Sequence, residues 1–155
     1  MQTQPIKIII CDDHDIMREG LVMLLEEEPN LEIVGVAGNG QEAIHLVNAL
    51  KPDIVLMDIT MEGMNGLEAT RQIVKSTTST NVIILTMHED KAFFLEALQA
   101  GANGYFLKGA DVEDLVRAIQ TVYDGGTYLT PQLAGGLVQE YLNKTGSSGT
   151  PEVNE

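Results

Sequence analysis

Apolar residues in this chain follow two rhythms. Five short runs rich in β-branched residues, Ile6 to Cys11, Leu31 to Ala37, Ile54 to Met57, Asn81 to Thr86 and Gly104 to Lys108, have the length and composition of buried strands. Between and after them, apolar positions recur at helical spacing: Leu21, Leu24 and Leu25; Ala43, Val47 and Leu50; Leu67 and Val74; Phe94 and Leu98; Leu115, Ala118, Ile119 and Val122. Strands alternating with amphipathic helices every roughly 25 residues build βαβ units, whose right-handed crossovers impose a parallel sheet covered by helices on both faces. The second run carries Glu32 and Gly35 in its interior, which suits an edge and not a doubly covered centre. The expected fold is α/β: a five-stranded parallel sheet, order 2-1-3-4-5, in a flavodoxin-like three-layer sandwich.

Turn signals at Pro29-Asn30, Asn39-Gly40, Pro52 and Gly101 fall between the periodic blocks, and Asp111, Glu113 and Asp114 suit the start of the last core helix. The first domain is expected over residues 1–128. Thr130 as N-cap and Pro131 as first helical residue open an extra C-terminal helix, expected over 129–143, with Leu133, Leu137, Val138, Tyr141 and Leu142 at helical spacing. Gly135 and Gly136 each cost that helix about 1 kcal/mol against Ala, so it needs a surface to rest on. Residues 144–155 are expected to be a disordered tail.

Composition narrows the function. The chain has 155 residues, 44% of them hydrophobic, enough for one compact domain with a sizeable core. Nine Lys and Arg against 23 Asp and Glu give a net charge of −14, which repels a nucleic-acid backbone. The lone cysteine, Cys11, closes an apolar run and reads as a small buried thiol in a reducing compartment. No run approaches the eighteen or so apolar residues of a membrane span, and the N-terminal apolar stretch is too short for a signal sequence, so a cytoplasmic location without membrane contact is expected.

In an open parallel sheet, ligands bind beyond the carboxyl ends of the strands. Here those ends carry Asp12 and Asp13, Asp58, Thr86, and Lys108. Crowded carboxylates call for a hard cation, and Mg²⁺ takes a couple of carboxylates with waters and phosphate oxygens. Asp53 and Asp58 bracket the same strand and lie roughly 17 Å apart at the strand rise, so only Asp58 is on the edge with Asp12 and Asp13. Asp58 is therefore the candidate phosphoryl acceptor, with Lys108 to neutralise charge and Thr86 to bond the product. His14 and His88 are set aside as ligands, because so carboxylate-rich a site suits Mg²⁺.

The segments Cys11 to Asp15, Met57 to Gly66, Leu85 to His88 and Gly104 to Gly109 resemble the receiver domains of two-component response regulators. The resemblance covers residue 6 to about 124, and the following Gly-Gly-Thr-Tyr-Leu-Thr-Pro is similar to the linker of the LuxR-type (NarL/FixJ-like) subfamily, whose members usually append a helix-turn-helix domain. None follows here, so the chain is expected to be a piece of a transcription regulator whose DNA contact resides elsewhere. The resemblance implies that Asp58 takes phosphate from a sensor histidine kinase; that Asp12, Asp13, Asp58 and the Thr60 backbone carbonyl hold Mg²⁺; that Lys108 pairs with the phosphoryl group; and that Thr86 and Tyr105 form a switch. It implies a regulatory domain and not an enzyme, with phosphoryl chemistry directed at itself, and a homodimer through helix 4, strand 5 and helix 5 or through the linker helix. Glu62 and Gly109 stand where many receivers have proline, so the Lys108–Gly109 bond is expected to be trans, a cis bond without proline costing roughly 3 kcal/mol. The alternatives are a stand-alone adaptor signalling by protein contact and an aspartate-nucleophile phosphohydrolase. The latter would want a second acid where Thr60 stands.

Overall fold

The computed structural model describes residues 4–59, 65–77, 79–87 and 91–148. Strands and helices alternate: β1 (Ile6–Cys11), α1 (Asp15–Glu26), β2 (Leu31–Ala37), α2 (Gly40–Leu50), β3 (Ile54–Asp58), α3 (Gly66–Ser76), β4 (Asn81–Thr86), α4 (Lys91–Ala100), β5 (Gly104–Leu107), α5 (Val112–Tyr123), β6 (Tyr128–Leu129) and α6 (Pro131–Ser148). All strand pairs are parallel, in the order β2-β1-β3-β4-β5-β6. β2 stands at an edge, as Glu32 and Gly35 suggest.

The count of five strands is corrected to six. β6 is two residues long, too short for a period of two to register in the sequence, and what creates it is pairing with an edge. Tyr128 N donates to Asn103 O and Thr130 N to Tyr105 O, covering backbone groups that β5 would otherwise present to solvent. β6 also runs across the expected boundary at residue 128, so the segment beyond it is built onto the sheet.

Period-two alternation sorts the strand side chains into two half-cores. Ile9 and Cys11, Val55 and Met57, Val82 and Ile84, and Tyr105 pack with Ala43 and Val47 of α2, Leu67 and Ile73 of α3, Phe94 and Ala97 of α4 and Leu133 of α6. Ile8 and Ile10, Ile54 and Leu56, Ile83 and Leu85, and Phe106 face Leu25 of α1 and Leu115, Ala118, Ile119 and Val122 of α5. Leu24, expected inside by its spacing, is 47% exposed, while Leu25 takes the core position. Side-chain caps set two helix starts: Asn39 Oδ1 accepts from Glu42 N, and Asn65 Oδ1 from Glu68 N, each at 2.9 Å.

α6 begins at Pro131, as its sequence signal predicts, and runs on through Ser148, past Leu142. Residues 149–155 of the expected tail lie outside the described residues. Gly135 and Gly136 do not break the helix, because Leu133 anchors its first turn in the core at 5% exposure and the helix rests on α4. The Thr130 hydroxyl does not cap α6. It donates to Tyr105 O at 3.2 Å and accepts from Leu107 N at 3.3 Å, extending the β5–β6 pairing by one side chain. Replacing it with a methyl group in Thr130→Val leaves the Leu107 N–H unbonded, at about 1 kcal/mol per lost bond. Urea unfolding should show a loss of about 1–2 kcal/mol, and hydrogen exchange should quicken at Leu107 and along the first turn of α6 before it does so in β1 or β3.

Candidate functional site

β1, β3, β4 and β5 bring the residues at or just past their ends to the carboxyl edge, and alternation decides which face each reaches. Continuing the even-numbered series of β1, β3 and β5 places Asp12, Asp58 and Lys108 on the α1/α5 side, whereas Thr86 continues Val82 and Ile84 toward α4, the side of Tyr105. The backbone holds these ends in register: Asp12 N donates to Ala37 O at 3.0 Å, and Lys108 N donates to Thr86 O at 2.7 Å. Lys108 Nζ donates to Asp12 Oδ2 at 2.9 Å and lies 3.5 Å from Asp58 Oδ2. All three side chains are buried, with Lys108 at 8% exposure.

On the other side of Asp12, Oδ1 accepts from His14 N at 2.9 Å, and His14 Nδ1 is 3.1 Å from both Asp12 Oδ1 and Asp13 Oδ1. Arg18 reaches back from α1 to donate to the Asp12 carbonyl and to Asp15 Oδ1. Burial pushes the Asp12 carboxyl upward, but hydrogen bonds from Lys108 and His14 and the Lys108 charge outweigh it, so its pKa lies below the ordinary carboxylate value. The Cys11 thiol, buried beneath the site, shows the opposite balance: burial, then the charges of Asp58 and Asp12, push it up to about 12. It is a core thiol, as the sequence suggests, with its S–H directed at Asn39 O.

Ligand atoms of Asp12, Asp13, His14 and Asp58 all lie within 4.8 Å of one another. Three carboxylates, two of them buried, form a hard-oxygen donor set that fits a small divalent cation keeping some of its waters. Thr60, expected to add its carbonyl, lies outside the described residues, as do Glu62 and His88. Asp53 is at the opposite end of β3, where its Oδ2 accepts from Lys7 N at 2.9 Å, which keeps it away from the cluster. No peptide bond among the described residues is cis, and Gly109 takes φ +95°, a conformation closed to proline. Tyr105 is 1% exposed and meets Phe94 of α4 edge-to-face, centroids 5.2 Å apart.

Three contributors escaped the sequence reading. His14 was set aside for its chemistry, and only the fold brings its ring to both acids. Arg18 has no motif of its own, although its spacing from Asp12, once a helix is assumed, puts it within reach. Gly66 closes the Met57 to Gly66 motif without a role assigned to it: a Cβ there would stand 2.3 Å from Asp58 O and 2.8 Å from Ile59 Cα, so the first turn of α3 lies directly on the backbone of Asp58.

Fold and site together define an open parallel α/β sheet with an acid–lysine cluster at its carboxyl edge. The chain belongs to the response regulator receiver domain family, whose sequence profile matches residues 8–120. It is 43% identical over 150 residues to the transcriptional regulatory protein LnrK of Bacillus subtilis, covering 97% of this chain and 68% of that protein. To the oxygen regulatory protein NreC of Staphylococcus carnosus it is 43% identical over 141 residues, covering 90% of this chain and 65% of that one. The chain thus spans about two thirds of the length of these curated relatives. A crystal structure of a LuxR-family two-component response regulator from Aurantimonas sp. SI85-9A1 matches with a TM-score of 0.85 and 38% identity over 90% of this chain and 99% of that one. The receiver domain of the putative response regulator NarL from Mycobacterium tuberculosis matches at 0.76 and 31%, over 79% and 98%.

Two substitutions test the site as described. Asp12 titrates below its ordinary value of 3.8, so its ionised form adds stability at neutral pH that is lost on acidification through that range. Without Lys108 its hydrogen bond and charge are lost while the burial cost remains, so the Asp12 pKa moves upward and the stability that its ionised form adds at neutral pH shrinks. In EDTA, urea unfolding of Lys108→Met should show a loss of about 3 kcal/mol at pH 7, part of it regained at pH 5. Gly66→Ala drives a methyl group into backbone and should cost about 2 kcal/mol. Gly135→Ala, with open space around its Cβ, should be neutral or stabilising in the same melts.

Proposed function

We propose that this receiver accepts a phosphoryl group on Asp58 from a phosphohistidine of a sensor kinase and signals through the change that follows. The observation that carries the reading is the Lys108 ammonium set between two buried carboxylates, 2.9 Å from Asp12 and 3.5 Å from Asp58. A carboxylate oxygen of Asp58 attacks phosphorus, the phosphorus–nitrogen bond of the kinase imidazole breaks, and the imidazole leaves with the electron pair. Lys108 is near enough to Asp58 to meet the oxygens of the incoming group. Asp12, Asp13, Asp58 and the Thr60 carbonyl would hold Mg²⁺, which supplies charge neutralisation at the transferring oxygens when bound.

Thr86 bonds a phosphoryl oxygen, and Tyr105, buried against Phe94, answers on the α4 side. Loss of the acyl phosphate to water is the only turnover such a domain needs, which makes it a regulatory domain. Exposed apolar residues beside the site, among them Ile16 at 87% and Met87 at 63%, support docking of a protein partner over it. The domain works in the cytoplasm, and its partners are a sensor histidine kinase, a second copy through α4, β5 and α5 or through α6, and DNA only by way of an output domain. Among the described residues no helix is long and apolar enough to cross a membrane.

Incubation with a small phosphodonor and Mg²⁺ should yield an acid-stable, base-labile label on the wild type and on Asp53→Ala, none on Asp58→Ala, and none in EDTA. Undiminished labelling of Asp58→Ala would refute the assignment.

A further inference from the structure

We propose that His14 is an imidazole ligand of the divalent-cation site, so that this receiver binds first-row transition ions such as Mn²⁺ and Ni²⁺ in preference to Mg²⁺. The inference rests on the metal-site reading above and deepens it. The distances carry it. His14 Nδ1 stands 3.1 Å from Asp12 Oδ1 and 3.1 Å from Asp13 Oδ1. Adjacent donors on an octahedron with bonds of about 2.1 Å are separated by about 3.0 Å, so Nδ1 already stands at the spacing of a neighbouring ligand from each of the two oxygens. Asp58 completes a group whose ligand atoms fall within 4.8 Å, slightly wider than the roughly 4.2 Å across such an octahedron.

The two oxygens of Asp12 are divided between the two sides of the site. Lys108 takes Oδ2 at 2.9 Å, and Oδ1 is turned toward His14. The position of the ring is set by the backbone: His14 is the residue before α1, in extended conformation with φ −97° and ψ 106°, and its own N–H is bonded to Asp12 Oδ1. Its side chain is 67% exposed, so an ion with its waters can approach from solvent without displacing core residues. An imidazole nitrogen adds little for hard Mg²⁺. For Mn²⁺, and more so for Ni²⁺, it is a favoured donor, and the affinity series of divalent ions rises accordingly. His45, on the exposed face of α2, has no place in this cluster.

The test uses the full chain with Mg²⁺, Mn²⁺ and Ni²⁺ as probes. Pulsed electron paramagnetic resonance of bound Mn²⁺ should show coupling to an imidazole nitrogen in the wild type, in His45→Gln and in His88→Gln, and none in His14→Gln. Calorimetric titration should show the Ni²⁺-to-Mg²⁺ affinity ratio falling about tenfold or more in His14→Gln, the scale on which metal affinity responds to loss of a site residue. Because His14 is largely exposed, the variant folds, and thermal melts without metal verify this. Bound Mn²⁺ without nitrogen coupling, coupling that survives in His14→Gln, or coupling lost only in His88→Gln overturns the proposal while leaving the cation site standing. Absence of saturable binding for both Mg²⁺ and Mn²⁺ overturns the metal-site reading and this inference with it.

Discussion

The Lys108 ammonium is the charge on which the carboxyl edge of the sheet depends. Two carboxylates held about 4 Å apart in surroundings of intermediate dielectric repel by about 4 kcal/mol. A domain of this size is stable by about 5–15 kcal/mol in all, so an uncompensated acid cluster would consume much of its margin. Lys108 is 8% exposed and bonded through its own N–H to the end of β4, which leaves its side chain little freedom to move away. In the function proposed for this site the same cation would also meet the incoming phosphoryl group, so stability and chemistry would draw on one residue.

The alternation of the strands divides labour between the faces. Residues of even number in β1, β3 and β5 lead to Asp12, Asp58 and Lys108 on the α1/α5 side. The series through Val82 and Ile84 leads to Thr86 and faces the half-core that holds Tyr105 and Phe94. A change at Thr86 would therefore act first on the half-core that holds Tyr105 and Phe94. Tyr105 connects that side to the end of the chain, because its carbonyl accepts from both the backbone and the hydroxyl of Thr130, the residue from which α6 departs. Leu133 of α6 completes the connection by packing into the same cluster. β5 thus carries an aromatic ring on one side and the anchor of the terminal helix along its edge.

Close approach of backbones is a second constraint on Asp58. Asn65 caps α3, and Gly66 lets that helix begin in direct contact with the Asp58 carbonyl. The carboxylate is thereby gripped from both ends of its surroundings: Lys108 in front of the side chain and α3 behind the main chain. At Gly109 the chain departs from the proline found in many receivers and adopts a left-handed conformation that proline cannot reach.

Much of this was legible in the residues themselves. Runs of β-branched residues spaced by helical periods dictate a parallel α/β sheet, since crossovers of that length admit no other pairing, and Glu32 and Gly35 mark the edge strand. The strand-end positions of Asp12, Asp58 and Lys108 follow from the same pattern, and strand length alone separates Asp58 from Asp53. Other features depend on contacts between distant segments, which periodicity does not encode. Tyr128 and Leu129 become a strand only because β5 offers an open edge, and Thr130 turns from its helix to that edge for the same reason. Leu24 and Leu25 both fit the helical stripe of α1, and only the crossing of the helix over the sheet chooses Leu25 for the core. Local sequence sets which backbone and side-chain groups seek partners; tertiary structure decides which partners lie within a hydrogen bond's reach, and that choice placed the His14 ring between two acids and Gly66 against the backbone of Asp58.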